Sequence, residues 1–397
     1  MEHSTFSSER YFETQSPPCN LEETVGRVRQ FIHFHARNYP TRRIVLITSG
    51  GTTVPLEHNV FVVVPSIFFP LDFSSVDLFS RNSVRFLDNF SAGTRGSASA
   101  EAFIRTNQYA VIFLHRSHSL EPFSRHYPHS TNPFLDLLAI QPTKQEPSTE
   151  LPPPTHQPLF PILSPHLAEN RRPTSSGTQP ESDDVDHQLI TIPPQHRPAM
   201  VSILKAHHLV HRLNLLHTIS FVTVNEYLYL LRAVAKVLGE PSLGLGRRAM
   251  LYLAAAVSDF FIPQQKLLDD CIPYQSEHKI QSGKGSLVIE MDAVPKVLKD
   301  VTNEWSNQAF IVSFKLETDS SLLIPKAKAA LTRYGHHLVI ANELHTRKTL
   351  VLMIDREGSI ESIKNDDSTG HEIEEQMVHR LVQRHLDWIQ ASSTPSS

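Results

Sequence analysis

The chain has 397 residues, 40% of them hydrophobic, a formal net charge of −4 and only two cysteines. That apolar fraction suffices for a substantial core, while the charge balance, with no face-sized run of Lys and Arg, excludes a nucleic-acid footprint. Cys19 and Cys271 lie far apart without metal-type spacing, which excludes a disulfide scaffold and suits a reducing compartment.

Residues 1–20 are polar, lack the basic start and apolar run of a signal peptide, and are expected to be disordered. No run of about eighteen apolar residues follows, so no membrane association is expected and the cytosol is the expected compartment. From Leu21 to Asn38, Val25, Val28, Phe31, Ile32 and His35 recur near helical spacing and Asn38-Tyr39-Pro40 forms a stop, which predicts an amphipathic helix. Arg43 to Thr48 is a continuous β-branched run, as in a strand covered on both faces of a parallel sheet. It opens into Ser49-Gly50-Gly51-Thr52-Thr53. Glycines there let a backbone approach a ligand and the hydroxyls can donate to phosphate oxygens, although a tight turn accounts for Gly-Gly equally well.

Residues 60–83 break the pattern, being apolar, aromatic and interrupted by two prolines, with neither a helical nor an alternating period. Arg85 to Gly96 is polar and runs into the helix-like Ser97 to Ile104. A helix start behind glycines presents N–H groups and a positive dipole end, an anion-receiving arrangement, to which Asn89 adds an amide, Ser91 a hydroxyl and Arg95 a cation. A plain capped turn remains the alternative. Tyr109 to Leu114 is a second buried strand, and His115 and Arg116 end it where parallel sheets place ligand contacts.

Residues 141–198 hold 13 of the 28 prolines and cannot bury enough apolar surface to offset the entropy of ordering. They are expected to form a mobile insertion within one domain spanning 21–390, because the α/β rhythm resumes beyond them. Ser202 to Leu213 predicts a helix, Ile219 to Val224 a strand and Glu226 to Leu238 a helix. A buried strand from Met250 then runs into Ala254-Ala255-Ala256-Val257-Ser258-Asp259. His278 to Gly283 and Leu287 to Met291 suggest a hairpin-like piece, and Val294 to Val301 a helix. Strands follow at Phe310 to Lys315, His337 to Ala341 with Asn342 at its end, and Thr349 to Ile354. Pro325 to Tyr334 is a helix opened by proline and closed by Gly335. Glu372 to Ile389 is the closing helix, and 391–397 a disordered tail. The alternation specifies an α/β class, a Rossmann-like doubly wound, mostly parallel sheet in a single domain with a disordered Pro-rich insertion.

Three motifs are set aside. Gly244-Leu245-Gly246 precedes a strand, the wrong context for a dinucleotide fingerprint. His207 and His211 are spaced for a shared metal on a helix but lack a third ligand, so a solvated helix face accounts for them better. A Ser/His/Asp site has no nucleophile elbow. What remains is a set of polar groups at strand ends: Gly50-Gly51, Asn89 to Gly96, Asp259, Lys279, Phe314 and Asn342. In a parallel sheet these share one edge, and together they suit a polyphosphate plus a second anion. Singly, each has a plain structural role as turn, cap, surface charge or core.

Thr48 to Thr52, Arg85 to Gly96, Ala254 to Phe260, Glu277 to Ser282, Ser313 to Asp319 and Val339 to Asn342 together resemble the eukaryotic form of phosphopantothenoylcysteine synthetase, the phosphopantothenate–cysteine ligase. The resemblance runs from about Arg42 to the closing helix. It implies amide formation between the carboxylate of 4′-phosphopantothenate and the amine of cysteine through an acyl-nucleotide, with ATP rather than CTP, with Mg²⁺, and in a homodimer. It further implies that Gly50, Ser91, Gly93, Gly96, Phe314 and Asn342 contact the nucleotide, with Ala255, Ala256 and Asp259 in the same pocket and Arg95 as an added phosphate contact. Asn89 and Lys279 would be the catalytic pair, the first at the reacting carboxylate and the second at the triphosphate. The magnesium ligands are left unassigned. The departure from the family is 60–83, which has no counterpart in its members and whose composition suggests translated intron. A catalytically impaired, ligand- or partner-binding relative is therefore the second function class, and a nicotinamide-dependent reductase, lacking its glycine fingerprint, the third.

Overall fold

The computed structural model describes residues 7–56, 85–127, 134–141, 189–264, 289–365 and 372–391. The 60–83 segment, Lys279 and the hairpin-like piece around it up to residue 288, residues 142–188 and residues 392–397 lie outside the described residues.

In chain order the elements are α1 (Ser8–Thr14), α2 (Leu21–Asn38), β1 (Arg43–Ser49), β2 (Thr53–Pro55), β3 (Phe86–Asp88), α3 (Thr94–Arg105), β4 (Tyr109–Arg116), β5 (Ala139–Gln141) and β6 (Leu189–Thr191). They continue with α4 (Arg197–Arg212), β7 (Leu216–Phe221), α5 (Val224–Leu238), β8 (Ala249–Leu253), β9 (Phe260–Phe261), β10 (Asp292–Ala293), β11 (Phe310–Glu317), α6 (Ser320–Tyr334), β12 (Leu338–Glu343), β13 (Leu350–Asp355), β14 (Ile360–Lys364) and α7 (Ile373–Gln390). One compact unit comprises Met1–His126 with Leu204–Ser397, and a second comprises Tyr127–Ile203. In the second, β5 pairs antiparallel with β6 and Arg197 Nε donates to the Ile192 carbonyl at 2.6 Å.

The first unit is built on an eight-stranded sheet of order β14-β13-β12-β11-β8-β1-β4-β7. The six strands from β12 to β7 run parallel and β13 and β14 antiparallel. The doubly wound, mostly parallel reading is thus borne out. The runs Ile44 to Ile47, Ala110 to Leu114 and Met250 to Tyr252 are wholly buried, as central strands covered on both faces require. From β1 the chain proceeds outward through β4 to β7, then returns to lay β8 on the other side of β1 and continues outward to β11 and β12. The winding reverses between β1 and β8, and the crevice at their carboxyl ends is where such sheets receive ligands.

Several expectations are corrected. Residues 7–20 are not disordered: α1 buries Tyr11 completely, with its hydroxyl donating to Asn225 Oδ1 at 3.0 Å. Phe12 packs edge-on to Tyr229 and Trp305 with centroids 5.0 and 5.9 Å apart. Two aromatic residues in a polar stretch supply this anchor. Helix α4 starts at Arg197, inside the stretch assigned to the Pro-rich insertion. Val222 to Val224 leaves the predicted strand because Thr223 caps α5 in a reciprocal box with Glu226. The helix expected over Val294 to Val301 is a single turn at Leu298–Asp300 continuing into a π-turn at Val301–Trp305, which buries Val301 and Trp305. Helix α6 starts at Ser320 under an Asp319 cap, so Pro325 lies inside it, and β14 is an element that the sequence pattern does not announce.

Helix α3 is fastened to α7 at both ends. Arg95 pairs with Glu374 at 2.7 Å and also donates to the Arg347 carbonyl, while Arg105 pairs with Glu375. Glu101, fully buried, accepts from Phe123 N at 2.8 Å, Arg125 Nε at 2.7 Å and His126 Nε2 at 2.9 Å, and Arg125 reaches on to Glu372 at 2.6 Å. Burial alone would raise its pKa, but the His126 and Arg125 hydrogen bonds, the Arg125 charge and the Phe123 amide together hold it down to about 2.

Candidate active site

Three chain segments, Ser49 to Thr53, residues 85–93 and Ala254 to Ser258, meet over the carboxyl ends of β1 and β8. The first is Ser49 to Thr53. Its Gly51 bridges Ala256 in parallel register, Thr52 N donates to the Ala256 carbonyl at 3.1 Å and Ala256 N to the Gly50 carbonyl at 2.8 Å. The hydroxyls anticipated as ligand donors are in part structural. Thr48 Oγ1 accepts from Ala255 N at 3.1 Å and Thr52 Oγ1 from Ser258 N at 2.9 Å, so they hold the alanine segment in place.

The second segment, 85–93, crosses the first. Asn89 N donates to the Thr52 carbonyl at 3.0 Å, and a Cβ at Gly51 would lie 1.8 Å from the Asn89 carbonyl oxygen. Only glycine permits that crossing. The Asn89 side chain is exposed and its amide has no hydrogen bond to another described residue. Ser91 Oγ accepts from Gly93 N at 3.4 Å.

Gly93 follows at φ 82° and ends the segment as the N-cap of α3, with no side chain capping the helix. The first-turn N–H groups of α3 are therefore left for a ligand or water. Ser49 Oγ donates to the Gly93 carbonyl at 3.1 Å, and a Cβ at Gly96 would lie 2.5 Å from Ser49 Cβ, so the helix start sits directly against the end of β1. Gly50, Ser91, Gly93, Gly96, Ala255, Ala256 and Asn89 are thus brought to one edge.

Phe314 and Asn342 join that edge from β11 and β12. The Phe314 ring meets Tyr252 edge-on at 4.9 Å, and Tyr252 in turn bonds Ser99 of α3 at 2.7 Å. Asn342 lies in register with Leu316, is 7% exposed, and makes no side-chain hydrogen bond to another described residue. An unpartnered amide on an otherwise buried residue is suited to a ligand. Asp259 pairs with Lys296 at 2.6 Å, both exposed to solvent. Arg95 departs from expectation: its guanidinium belongs to Glu374 and the Arg347 carbonyl, not to the loop edge. Helix α3 begins at Thr94, three residues earlier than the sequence suggests, and that turns Arg95 toward α7. His115 stacks on Phe113 at 5.2 Å and burial lowers its pKa, so near neutral pH it carries no charge for an anion. A cation that does stand at this edge, among the described residues, is Arg116, paired with Asp88 at 2.6 Å.

Residues 212–391 match the family described as the DNA/pantothenate metabolism flavoprotein C-terminal domain. The chain is 33% identical to phosphopantothenate–cysteine ligase CAB2 of Saccharomyces cerevisiae, across 98% of its own length and 89% of that protein's. The chain belongs to the phosphopantothenate–cysteine ligase family. It is 34% identical to the phosphopantothenate–cysteine ligase of Homo sapiens over 88% of each chain. A solved structure of a Cab2 mutant in complex with phosphopantothenate-cysteine has a TM-score of 0.70 and 34% identity, covering 98% of this chain and 100% of that one. As a member of this family the chain is a carbon–nitrogen ligase. Sequence patterns miss two features of this sheet edge: the structural use of Thr48 and Thr52, and the pairing of Arg116 with Asp88. Hydroxyls beside glycines and an arginine at a strand end are visible in the sequence; their partners, distant along the chain, are not.

Proposed function

We propose that the chain ligates cysteine to 4′-phosphopantothenate in coenzyme A synthesis, using ATP rather than CTP, in the cytosol and as a homodimer. The observation that carries this reading is the convergence of an uncapped helix start, glycine-lined loops and the unpartnered amides of Asn89 and Asn342 on one sheet edge. Two side-chain amides, each able to donate and accept, together with backbone N–H groups suit a substrate carboxylate and a nucleotide.

In this scheme the phosphopantothenate carboxylate attacks the α-phosphorus of ATP and pyrophosphate leaves, giving an acyl-adenylate. The cysteine amine then attacks the acyl carbon, loses a proton, and expels AMP as the amide forms. The barrier to the first step lies in bringing negative groups together. Backbone N–H groups at the start of α3 and between Gly50 and Gly51 would lower it, and the Asn89 amide would donate to the acyl oxygen as charge develops there. Gly50, Ser91, Gly93, Gly96, Phe314 and Asn342 would hold the nucleotide, and Ala255 and Ala256 the wall between substrates. Lys279, outside the described residues, would serve the triphosphate.

The donor chemistry fits Mg²⁺ carried mainly by nucleotide phosphates and water, with Asp259 among the carboxylates that the described residues bring to this edge. Asp259 would take a place in its hydration shell, and the ion would supply charge neutralisation. No helix among the described residues is long and apolar enough to cross a membrane. The test is pyrophosphate release with ATP or CTP, on protein with and without 60–83. Release that requires both ATP and phosphopantothenate supports the ligase; binding without release in the full chain favours an impaired relative.

A further inference from the structure

The loop that carries Asn89 has little hydrophobic anchorage. Phe86, Leu87 and Phe90 are 47%, 44% and 78% exposed, so burial contributes little to fixing it. Its restraints are polar and flank Asn89. On the backbone, Asn89 N donates to the Thr52 carbonyl; one residue earlier, the Asp88 carboxylate accepts from Arg116 Nη1 at 2.6 Å. Among residues 86–90, Asp88 is the one whose side chain is hydrogen-bonded to another described residue.

The arginine is itself well seated. A Cβ at Gly50 would lie 2.7 Å from Arg116 Cβ, so the glycine loop packs directly on its stem. The Arg116 carbonyl accepts from Ser119 Oγ at 2.7 Å and Ser119 N at 3.0 Å, closing the turn after β4. Its side chain is 18% exposed and that of Asp88 29%. A partly exposed pair with one partner fixed by packing holds its geometry better than two mobile surface chains.

We propose that Arg116 is a positioning residue of the ligase reaction, acting through Asp88 to set the loop from which Asn89 reaches the substrate carboxylate. This rests on the role of Asn89 given above. Arg116 is a residue of β4 and Asp88 of β3, so the ion pair ties the exposed loop to the central sheet. The rival role is direct contact: Arg116 Nε and Nη2 have no hydrogen-bond partner among the described residues and could meet a substrate anion.

The two roles separate in a double-mutant cycle of Arg116→Gln, Asp88→Asn and their combination, in the full chain. Positioning predicts that each single change lowers kcat at least tenfold, with a smaller change in the KM for phosphopantothenate, and that the double change is no worse than the poorer single. Arg116→Lys, which can still meet Asp88, regains part of the rate. Amide exchange across 86–93 rises in both single variants, a readout independent of turnover. Unchanged exchange in Arg116→Gln overturns the proposal, as does a silent Asp88→Asn beside an Arg116→Gln that raises only KM. If the unaltered protein releases no pyrophosphate in response to phosphopantothenate, the ligase reading fails, and the exchange data still decide on Arg116. Should Arg116→Gln not fold, Asp88→Asn and Arg116→Lys carry the same comparison.

Discussion

Gly51→Ala tests the crossing of the two site loops. Gly51 is not among the residues with positive φ, so its backbone accepts alanine. The obstacle is the new Cβ, 1.8 Å from the Asn89 carbonyl oxygen, 2.9 Å from its carbon and 3.0 Å from Ser91 N. Reaching even a tight 3.0 Å contact requires a shift of at least 1.2 Å (3.0 − 1.8), and because the obstructing atoms are backbone no rotamer change supplies it. The loop must therefore move, stretching the 3.0 Å bond from Asn89 N to the Thr52 carbonyl. A misplacement of about 1 Å in a reacting group costs roughly 100-fold in rate. Pyrophosphate release with ATP, phosphopantothenate and cysteine should fall by that order. The melting temperature should drop only modestly, because the loop is exposed and overpacking of this kind costs about 1–3 kcal/mol. A Gly51→Ala protein within threefold of the unaltered rate would refute the idea that this close approach positions Asn89.

Gly26→Ala is the matching control: Gly26 lies inside α2, and a methyl added there would have nothing within 4 Å, so it should stabilise by about 0.5–1 kcal/mol in a denaturant melt and leave turnover unchanged. Glu101 should make the fold acid-sensitive. Its carboxyl is held at about 2 instead of its ordinary 4.5, so its contribution of about 3 kcal/mol is present above pH 4.5 and is lost as pH falls toward 2; Glu101→Gln should flatten the stability–pH curve over that window. Arg95→Met should destabilise by about 2–4 kcal/mol near neutral pH by stranding the buried Glu374, whose pKa burial already raises, and acidification toward pH 5 should relieve part of the loss. The KM for ATP should not move, and a large rise would return Arg95 to the nucleotide.

Much of the fold is legible in the sequence because its central strands are buried on both faces. Ile44 to Ile47, Tyr109 to Leu114 and Phe310 to Val312 are continuous apolar runs with few competing interpretations. Boundaries fail where a local hydrogen bond decides them. Thr223 and Glu226 form a capping box that ends β7 three residues early, and the Asp319 cap starts α6 at Ser320, five residues ahead of its proline. Helix α1 escapes pattern reading because its stability comes from what Tyr11 and Phe12 touch more than 200 residues later, not from its own composition. The site divides the same way. Glycines after strands mark the loops that meet at the sheet edge, since their spacing is local. The pairing of Arg95 is not legible in the sequence because its partner, Glu374, is 279 residues away.

The displacement of Arg95 from the site clarifies how α3 works. A helix start attracts anions through its orphan N–H groups and dipole, a contribution of about 0.3–1 kcal/mol that acts only within the first turn. Such a weak, short-ranged effect is useful only if the helix start is held at a fixed place against the sheet. Ser49 and Gly96 set that contact from below, and Arg95, Glu101 and Arg105 fasten the rest of the helix through Glu374, Arg125 and Glu375. The charged side chains of α3 thus hold the helix while the backbone of its start faces the carboxyl ends of β1 and β8. A cation facing the same edge has to come from elsewhere, and β4 supplies one in Arg116, one strand over from the glycines it packs against.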